Sequence, residues 1–303
     1  MRVLVAGGTG VLGRSAVPKL VAAGHDVVAV SRRPEADDTL RAAGAVPIRL
    51  DVFDRASAAS ARGMDAVLNL ATSVPPPPAA LRLKAWRHHQ RLRREASRVL
   101  AEAAVNAGAR FVQESFAPTY RDGGSEWITE DHPLDPVAQT RSVVDAEASA
   151  QLVTSNGLAG VALRFGLFYG AVSADTRSWL AAAKKGWLML PGPGDRYSSM
   201  IYVDDAATAV VAALDVPAGH YNVVEDRPVT LDEHARILAA LLGRPRLRLL
   251  PAALGRVPVL RVLARSHRIS NQRLRQNSGW KPTAPSVREG YAMTLEELAR
   301  PPQ

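Results

Sequence analysis

The sequence predicts an α/β protein: a doubly wound parallel sheet followed by a smaller, mostly helical C-terminal part. Three observations carry this. Short apolar runs alternate with helical stretches from residue 2 to about residue 166. The runs are continuously apolar rather than alternating, as in strands covered on both faces. A glycine-rich turn stands between the first run and the first helical stretch.

RVLVAG (2–7) reads as the first strand, and RSAVPKLVAAG (14–24) as a helix stopped by Gly24. DVVAVS (26–31) is a second strand. A helix ending near Gly44 and a third strand, VPIRLDV (46–52), follow. A short helix is expected around Ala56 to Ala61, then a fourth strand, AVLNLAT (66–72). The prolines at 75–78 fit neither a helix nor a central strand, so they open a loop. That loop leads into a long basic helix, about 79–107, which Gly108 ends. RFVQES (110–115) is the fifth strand. A long loop with Gly123, Gly124, Pro133 and Pro136 separates it from a helix beginning near Val137, and loops of that length in compact domains are usually functional. GVALRFG (160–166) is the sixth strand. Residues 173–200 hold a short helix and a PGPG turn. A strand end and a helix occupy 201–214, with Asp204 or Asp205 as N-cap. Residues 225–303 read as helical with proline breaks.

The 303 residues are 47% apolar and 22% charged, enough for a sizeable core. There is no cysteine, which excludes disulfides, thiolate metal sites and a cysteine nucleophile. No metal site is expected. The chain begins directly with an apolar strand and has no run long enough to span a bilayer, so a cytoplasmic protein without membrane association is expected. The net charge is +9, mostly arginine, with part of it concentrated in LRLKAWRHHQRLRR (81–94). That stretch reads as a solvated or substrate-covering helix, or as contact for an anionic partner. A nucleic-acid role is disfavoured because Trp86 is the only aromatic residue among the basic ones.

VAGGTGVLGRS (5–15) places Gly7, Gly10 and Gly13 between a strand and a helix. Gly7 permits the tight turn, Gly10 lets a pyrophosphate approach the backbone, and Gly13 permits close helix packing. The helix start supplies N–H donors for phosphate. This is the phosphate loop of a Rossmann-type dinucleotide site, to which Thr9, Val11 and Leu12 also belong. The second strand ends in Ser31, Arg32 and Arg33, with no acid until Glu35. An acid there would bind a ribose hydroxyl, whereas two guanidinium groups suit a 2′-phosphate. NADP(H) is therefore the expected cofactor.

These motifs resemble the extended branch of the short-chain dehydrogenase/reductase superfamily, the epimerase/dehydratase-like proteins, over essentially the whole chain. GGTGVLG (7–13) is similar to its glycine motif, and YVDDAA (202–207) and NSGWKPT (277–283) to its later signatures. The resemblance implies that Asp51 and Val52 lie beside the adenine and that Leu70, Ala71 and Thr72 run along the cofactor. It puts Phe165 and Leu167, in LRFGLFYG (163–170), near the nicotinamide. It also implies a cofactor-binding Rossmann domain formed by 1–164 plus about 201–224, and a substrate domain formed by about 165–200 and 225–303.

The departures matter more. The family's catalytic tyrosine and lysine stand four residues apart on the helix after the long loop. Aligning DAE (145–147) with that helix puts Gln139 and Val143 in their places, and no Tyr-x-x-x-Lys occurs in the chain. Counting back from Tyr120, the family's serine falls on Phe116; one residue of slip gives the role to Ser115. Gln139 can hydrogen-bond but transfers no proton, and Val143 does neither. A reduced carbonyl would then take its proton from the substrate, from a side chain (Ser115, Thr72, Ser73, Tyr120, His88, His89 or His132) or from water. Substrate-assisted transfer suits an aromatic polyketide with a phenol beside the carbonyl. Trp86, Trp179, Trp187, Leu188, Met189 and Leu190 fit a flat hydrophobic aromatic substrate, or simply pack the smaller domain. The leading reading is an NADPH-dependent ketoreductase. A non-catalytic NADP(H) sensor and a sugar-nucleotide enzyme, with Arg177 and Arg196 on the diphosphate, stay open. The sequence does not fix the oligomeric state.

Overall fold

In the computed structural model, which describes residues 1–55, 61–76 and 79–300, the first strand sets the plan. β1 (Arg2–Ala6) points Val3 and Val5 into one apolar core and Leu4 and Ala6 into another. A strand buried on both faces must be apolar at every position, which is the pattern the sequence shows. β2 (Asp26–Ser31) and β3 (Val46–Arg49) lie to one side. β4 (Ala66–Asn69), β5 (Arg110–Phe116), β6 (Gly160–Phe165) and β7 (Gly219–Val223) extend the other. The order β7-β6-β5-β4-β1-β2-β3 is parallel throughout.

Helices cover both faces. α1 (Val11–Ala22) packs beside α7 (Val203–Ala212) on one, with α2 (Pro34–Ala42) near the β2–β3 edge. α4 (Ser97–Ala107) packs beside α5 (Ser142–Ser155) on the other. A third core joins α6 (Ala174–Lys184), α8 (Leu231–Leu241) and α11 (Val287–Ala299) around Tyr169, Tyr202 and Tyr291. Two short helices, α9 (Pro258–Ala264) and α10 (Gln272–Ser278), complete the C-terminal part. Two-residue and three-residue strand pairs stitch it together, including Leu167–Tyr169 with Met200–Tyr202.

Several boundaries differ from expectation for physical reasons. α1 starts at Val11 rather than Arg14, because Gly10 is already its N-cap. The third strand ends at Arg49 rather than 52, since Asp51 accepts from the Phe53 N–H and turns the chain. The long basic helix is composite: 3₁₀ turns at Ala79–Leu81 and Leu83–Trp86, α3 (Arg87–Arg91), a π turn at Leu92–Ala96, then α4. The wide turn brings Leu92, Arg93, Ala96 and Ser97 all to the buried side. α5 begins at Ser142, not near Val137, because Val137 and Thr140 close a turn on each other. Neither Asp204 nor Asp205 caps α7; Tyr202 holds the N-cap position. The helix expected around 56–61 lies almost wholly outside the described residues, and β7 was not anticipated. Among the described residues no helix is long and apolar enough to cross a membrane.

Asp205 has a different task. It is buried, and accepts from the Thr283 N–H, the Thr283 hydroxyl and the Ala284 N–H. The carboxylate thus anchors the segment before α11 to the helix that lines the sheet. Asp205→Ala removes three charge-assisted bonds and is expected to lower unfolding free energy by about 3 kcal/mol, read as a shifted midpoint in urea denaturation.

Candidate cofactor and substrate site

The strand carboxyl ends of an open α/β sheet are where ligands bind, and the glycine turn stands at the end of β1. Gly7 has φ +86°, and a Cβ there would sit 2.6 Å from Ala71 N. A Cβ on Gly13 would come 2.2 Å from the Gly7 carbonyl oxygen. These two glycines are required by the fold itself. Gly10 is different: its Cβ would meet only the Gly7 oxygen, at 3.3 Å. α1 has no side-chain cap and no acid in its first turn, so its free N–H groups face the loop unneutralised. Arg14 fixes the loop by donating to the Thr9 carbonyl oxygen at 2.9 Å. Val11 is exposed and Leu12 buried at this turn. A cradle closed to a Cβ, with an uncapped helix start, fits a dinucleotide pyrophosphate.

At the end of β2, the buried Ser31 hydroxyl donates to the Arg33 carbonyl oxygen. Arg32 and Arg33 are exposed and have no side-chain partner among the described residues. Asp37, in the first turn of α2, is bound by both Nη atoms of Arg49 at 2.7 and 2.8 Å. Arg49 and Ser31 hold its carboxyl below the usual range. The strand end therefore offers two free cations, with Glu35 exposed in the first turn of α2 as the acid nearest in sequence. Asp51 is exposed beside buried Val52. Leu70 donates to the Ala6 carbonyl oxygen, Ala71 to Asn69 Oδ1, and Thr72 is exposed. Asn69 is itself held by Ser97 and Gln113. Phe165 is buried and Leu167 half-buried, with the Gly166 turn pressed against Ser199, where a Cβ would lie 2.7 Å from its carbonyl oxygen.

The candidate proton donors fare otherwise. Ser115 is fully buried and donates to Glu147 Oε1 at 2.6 Å. It belongs to an internal network rather than to an open surface. Glu147 also takes Nε and Nη2 of Arg164, at 2.8 and 2.7 Å. Burial raises the Glu147 pKa, but Arg164 outweighs this and holds it below the carboxylate norm. Arg164 Nη1 donates to the Tyr120 hydroxyl at 2.7 Å, and Tyr120 donates on to Asn222 Oδ1. Burial pushes the Tyr120 pKa above its ordinary value. Tyr120 is thus a fully enclosed structural group. His89, a candidate donor in the basic stretch, is buried. Its Nδ1 accepts from the Ser73 N–H at 3.2 Å, and burial pushes its pKa down to about 3. It pins the 70–74 loop to α3 as a neutral ring and has no spare proton near neutrality. His88 is exposed, and His132 lies edge-on to Tyr120.

Gln139 and Val143 lie 5% and 0% exposed, and Gln139 Oε1 has no partner among the described residues. Phe116 is half-buried. Trp86 packs edge-on against His89 and donates to the Ala80 carbonyl oxygen. Leu188 and Leu190 belong to the third core, Trp179 packs against it, and Met189 and Trp187 are partly exposed. Arg196 is 4% exposed; its Nε and Nη1 donate to the carbonyl oxygens of Pro191, Tyr197 and Arg265, while Nη2 has no partner among the described residues. Arg177 donates to the Ala171 carbonyl oxygen.

Sequence reasoning missed the buried charge pairs Arg164–Glu147 and Arg93–Glu114. The first was signalled by an arginine inside the apolar strand LRF. The second had no signal, because a π turn is what turns Arg93 inward.

Comparison with known proteins agrees with this geometry. The profile of the NAD dependent epimerase/dehydratase family matches residues 3–224. A 3-diazoavenalumate denitrifying reductase from a Streptomyces species is 38% identical over 320 residues, covering 96% of this chain and 99% of that protein. A 2-alkyl-3-oxoalkanoate reductase from Stenotrophomonas maltophilia is 29% identical, covering 81% of this chain and 77% of that protein. The crystal structure of human epimerase family protein SDR39U1 with NADPH superposes with a TM-score of 0.81 at 25% identity, covering 98% of this chain and 99% of that one. The chain belongs to the NAD-dependent epimerase/dehydratase family, the extended short-chain dehydrogenase/reductases, and it is an oxidoreductase that uses a nicotinamide cofactor.

The two kinds of glycine separate experimentally. Gly13→Ala should destabilise the fold, seen as a lower melting temperature. Gly10→Ala should melt like the parent and lose cofactor affinity by about 10-fold or more, measured by nicotinamide fluorescence on titration with NADPH.

Proposed function

We propose that this protein is an NADPH-dependent reductase of an apolar aromatic substrate, of aromatic-polyketide type, whose carbonyl receives the hydride while a neighbouring phenol of the same substrate supplies the proton. The observation that carries the reading is the fate of the acids. The positions expected to hold the catalytic side chains are Gln139, Val143 and Phe116, and the nearby hydroxyls of Ser115 and Tyr120 are locked in a buried network. His89 is held neutral.

Bound NADPH would supply the hydride. The chain's residues do the rest: the glycine turn and the α1 start hold the pyrophosphate, and Arg32 and Arg33 take the 2′-phosphate. The Leu70–Thr72 segment and Leu167 border the reduced ring. As the new C–H bond forms, the carbonyl π electrons move to oxygen. That oxygen takes the phenolic proton, and the phenolate is left stabilised by its ring. The protein need only orient the pair and exclude water.

The Streptomyces relative is named for reduction of a diazo compound. An aryl diazo acceptor is therefore a second reading of the same site. The sensor reading differs from both by predicting no turnover.

Anaerobic stopped-flow of NADPH oxidation with a peri-hydroxylated anthraquinone and its O-methylated analogue tests the proton source. Loss of the phenol should slow reduction by about 10²- to 10⁴-fold, the usual worth of general acid catalysis. Equal rates would sink substrate assistance. Binding of NADPH without oxidation by either quinone or by an aryl diazo compound would favour the sensor.

The cofactor preference has its own test. Replacing Arg32 and Arg33 together by alanine should raise KM for NADPH by about 10- to 100-fold, as loss of charge-assisted phosphate bonds implies, and leave KM for NADH nearly unchanged. An equal effect on both cofactors would remove the 2′-phosphate role.

A further inference from the structure

The positive charge of this chain is segregated, and its two most basic acid-free stretches both touch the segment that follows β5. Residues 66–94 contain no Asp or Glu and six Lys or Arg; residues 234–288 contain none and twelve. The whole chain carries +9, so the remainder carries −9. Solubility alone does not demand such a division.

Hydrogen bonds and packing show where the stretches meet. The Ser73 N–H donates to His89, which ties the 70–74 loop to α3. Gln90 on α3 donates to the Ala138 carbonyl oxygen at 2.8 Å, which ties α3 to the turn carrying Gln139. α9 packs on the Ala117–Thr119 turn that directly follows β5. Arg265, just past α9, donates to the carbonyl oxygens of Tyr120 and Asp135. The first stretch thus reaches the turn carrying Gln139, and the second reaches the chain that directly follows β5.

Some arginines are matched by an acid, as in Arg93–Glu114, Arg227–Glu289 and Arg275–Asp226, and others away from this strand end, such as Arg236, Arg246 and Arg288, are simply exposed. On the surrounding segments, Arg82, Lys84, Arg87, Arg141, Arg256 and Arg261 are exposed and have no side-chain partner among the described residues. Between them lie exposed apolar groups: Val74 at 60%, Leu81 at 53%, Leu83 at 50% and Leu254 at 37%. Asp135, the acid of this rim, is bound by Arg265.

We infer that the substrate of this site is an apolar molecule bearing a carboxylate, held at the rim by these unpaired cations while its body lies against the leucines and Val74. This rests on the reductase reading and names its substrate class. A neutral ring system would leave six desolvating cations unmatched. A nucleic-acid strand wants base-stacking aromatics among the cations, and here aliphatic side chains alternate with them in LRLK (81–84).

The probe is rhein, a dihydroxyanthraquinone carboxylic acid, against its methyl ester. Binding is read by quenching of tryptophan fluorescence in the NADP⁺-saturated protein. The acid should bind about 10-fold tighter or better at low salt. The gap should close at about 0.5 M salt, where screening is nearly complete at a few Å. It should also close in the Arg87→Gln/Arg261→Gln variant, whose circular dichroism should match the parent because both residues are exposed. Equal affinity for acid and ester, or a gap insensitive to salt and substitution, overturns the inference. Displacement of rhein by duplex DNA overturns it as well, by assigning the cations to a polyanion. Preference for the acid without NADPH oxidation would sink the reductase reading alone; equal turnover of acid and ester would sink this inference alone.

Discussion

The burial of Arg164 is the constraint on which the centre of this molecule depends. It stands in β6 between Leu163 and Phe165, at 5% exposure, where a bare guanidinium would be untenable. Taking two ions out of water costs several kcal/mol each. The cost is offset only if every donor finds a partner. Glu147 on α5 takes two, the Tyr120 hydroxyl and the Glu130 carbonyl oxygen take a third between them. Glu147 in turn accepts from Ser115 on β5, and Tyr120 donates to Asn222 on β7. One cation thereby fixes three neighbouring strands, the helix α5 and the long loop between β5 and α5. The turn carrying Gln139 and the first residues of α5 inherit their position from that arrangement.

Much of this was legible in the residues, for reasons that differ by element. The first two strands were readable because a strand buried on both faces has to be apolar throughout, as VLVA and VVAV are. The glycine turn was readable because a Cβ at position 7 or 13 collides with backbone whatever the ligand. β7 was not readable: GHYNV carries His220 and Asn222, which its place at the sheet edge and its bond to Tyr120 allow. The start of α5 was misjudged because Thr140 closes a local turn with Val137, a choice between two short-range bonds that composition does not decide. The role of Asp205 was invisible for a different reason. Its partners, Thr283 and Ala284, lie far along the chain, and an acid at a helix start reads as a cap unless something distant claims it.

The candidate site shows the same division. Its cofactor half follows from local rules of turn and charge, and Arg32 and Arg33 stand free where the sequence put them. Its chemical half depends on who is already bonded to whom. Ser115, Tyr120 and His89 all carry groups that could move a proton, and sequence alone leaves each of them in play. Burial decides otherwise: each is engaged with a fixed partner, and the pKa of Tyr120 rises while that of His89 falls, both away from neutrality. Thr72, Ser73 and His88 stay exposed, and Gln139 has a buried carbonyl oxygen that lacks a donor among the described residues. An unmet buried acceptor costs about 1–3 kcal/mol, so a hydroxyl arriving with cofactor or substrate would be welcomed there as a hydrogen-bond partner, though not deprotonated.

Val143 shows that the missing lysine is more than one lost side chain. The valine is 0% exposed and sits in the first turn of α5 among other buried residues, Ser142, Ala146 and Glu147. An ammonium group at that position would have to be desolvated. The acid one turn further along α5, Glu147, is already committed to Arg164 and Ser115. The cost of an unpaired buried charge exceeds what a single hydrogen bond to a ribose returns. The surroundings have therefore been rebuilt around an apolar residue. On the proposed reading, a site so arranged orients a hydride donor and an acceptor and leaves the proton to the acceptor itself.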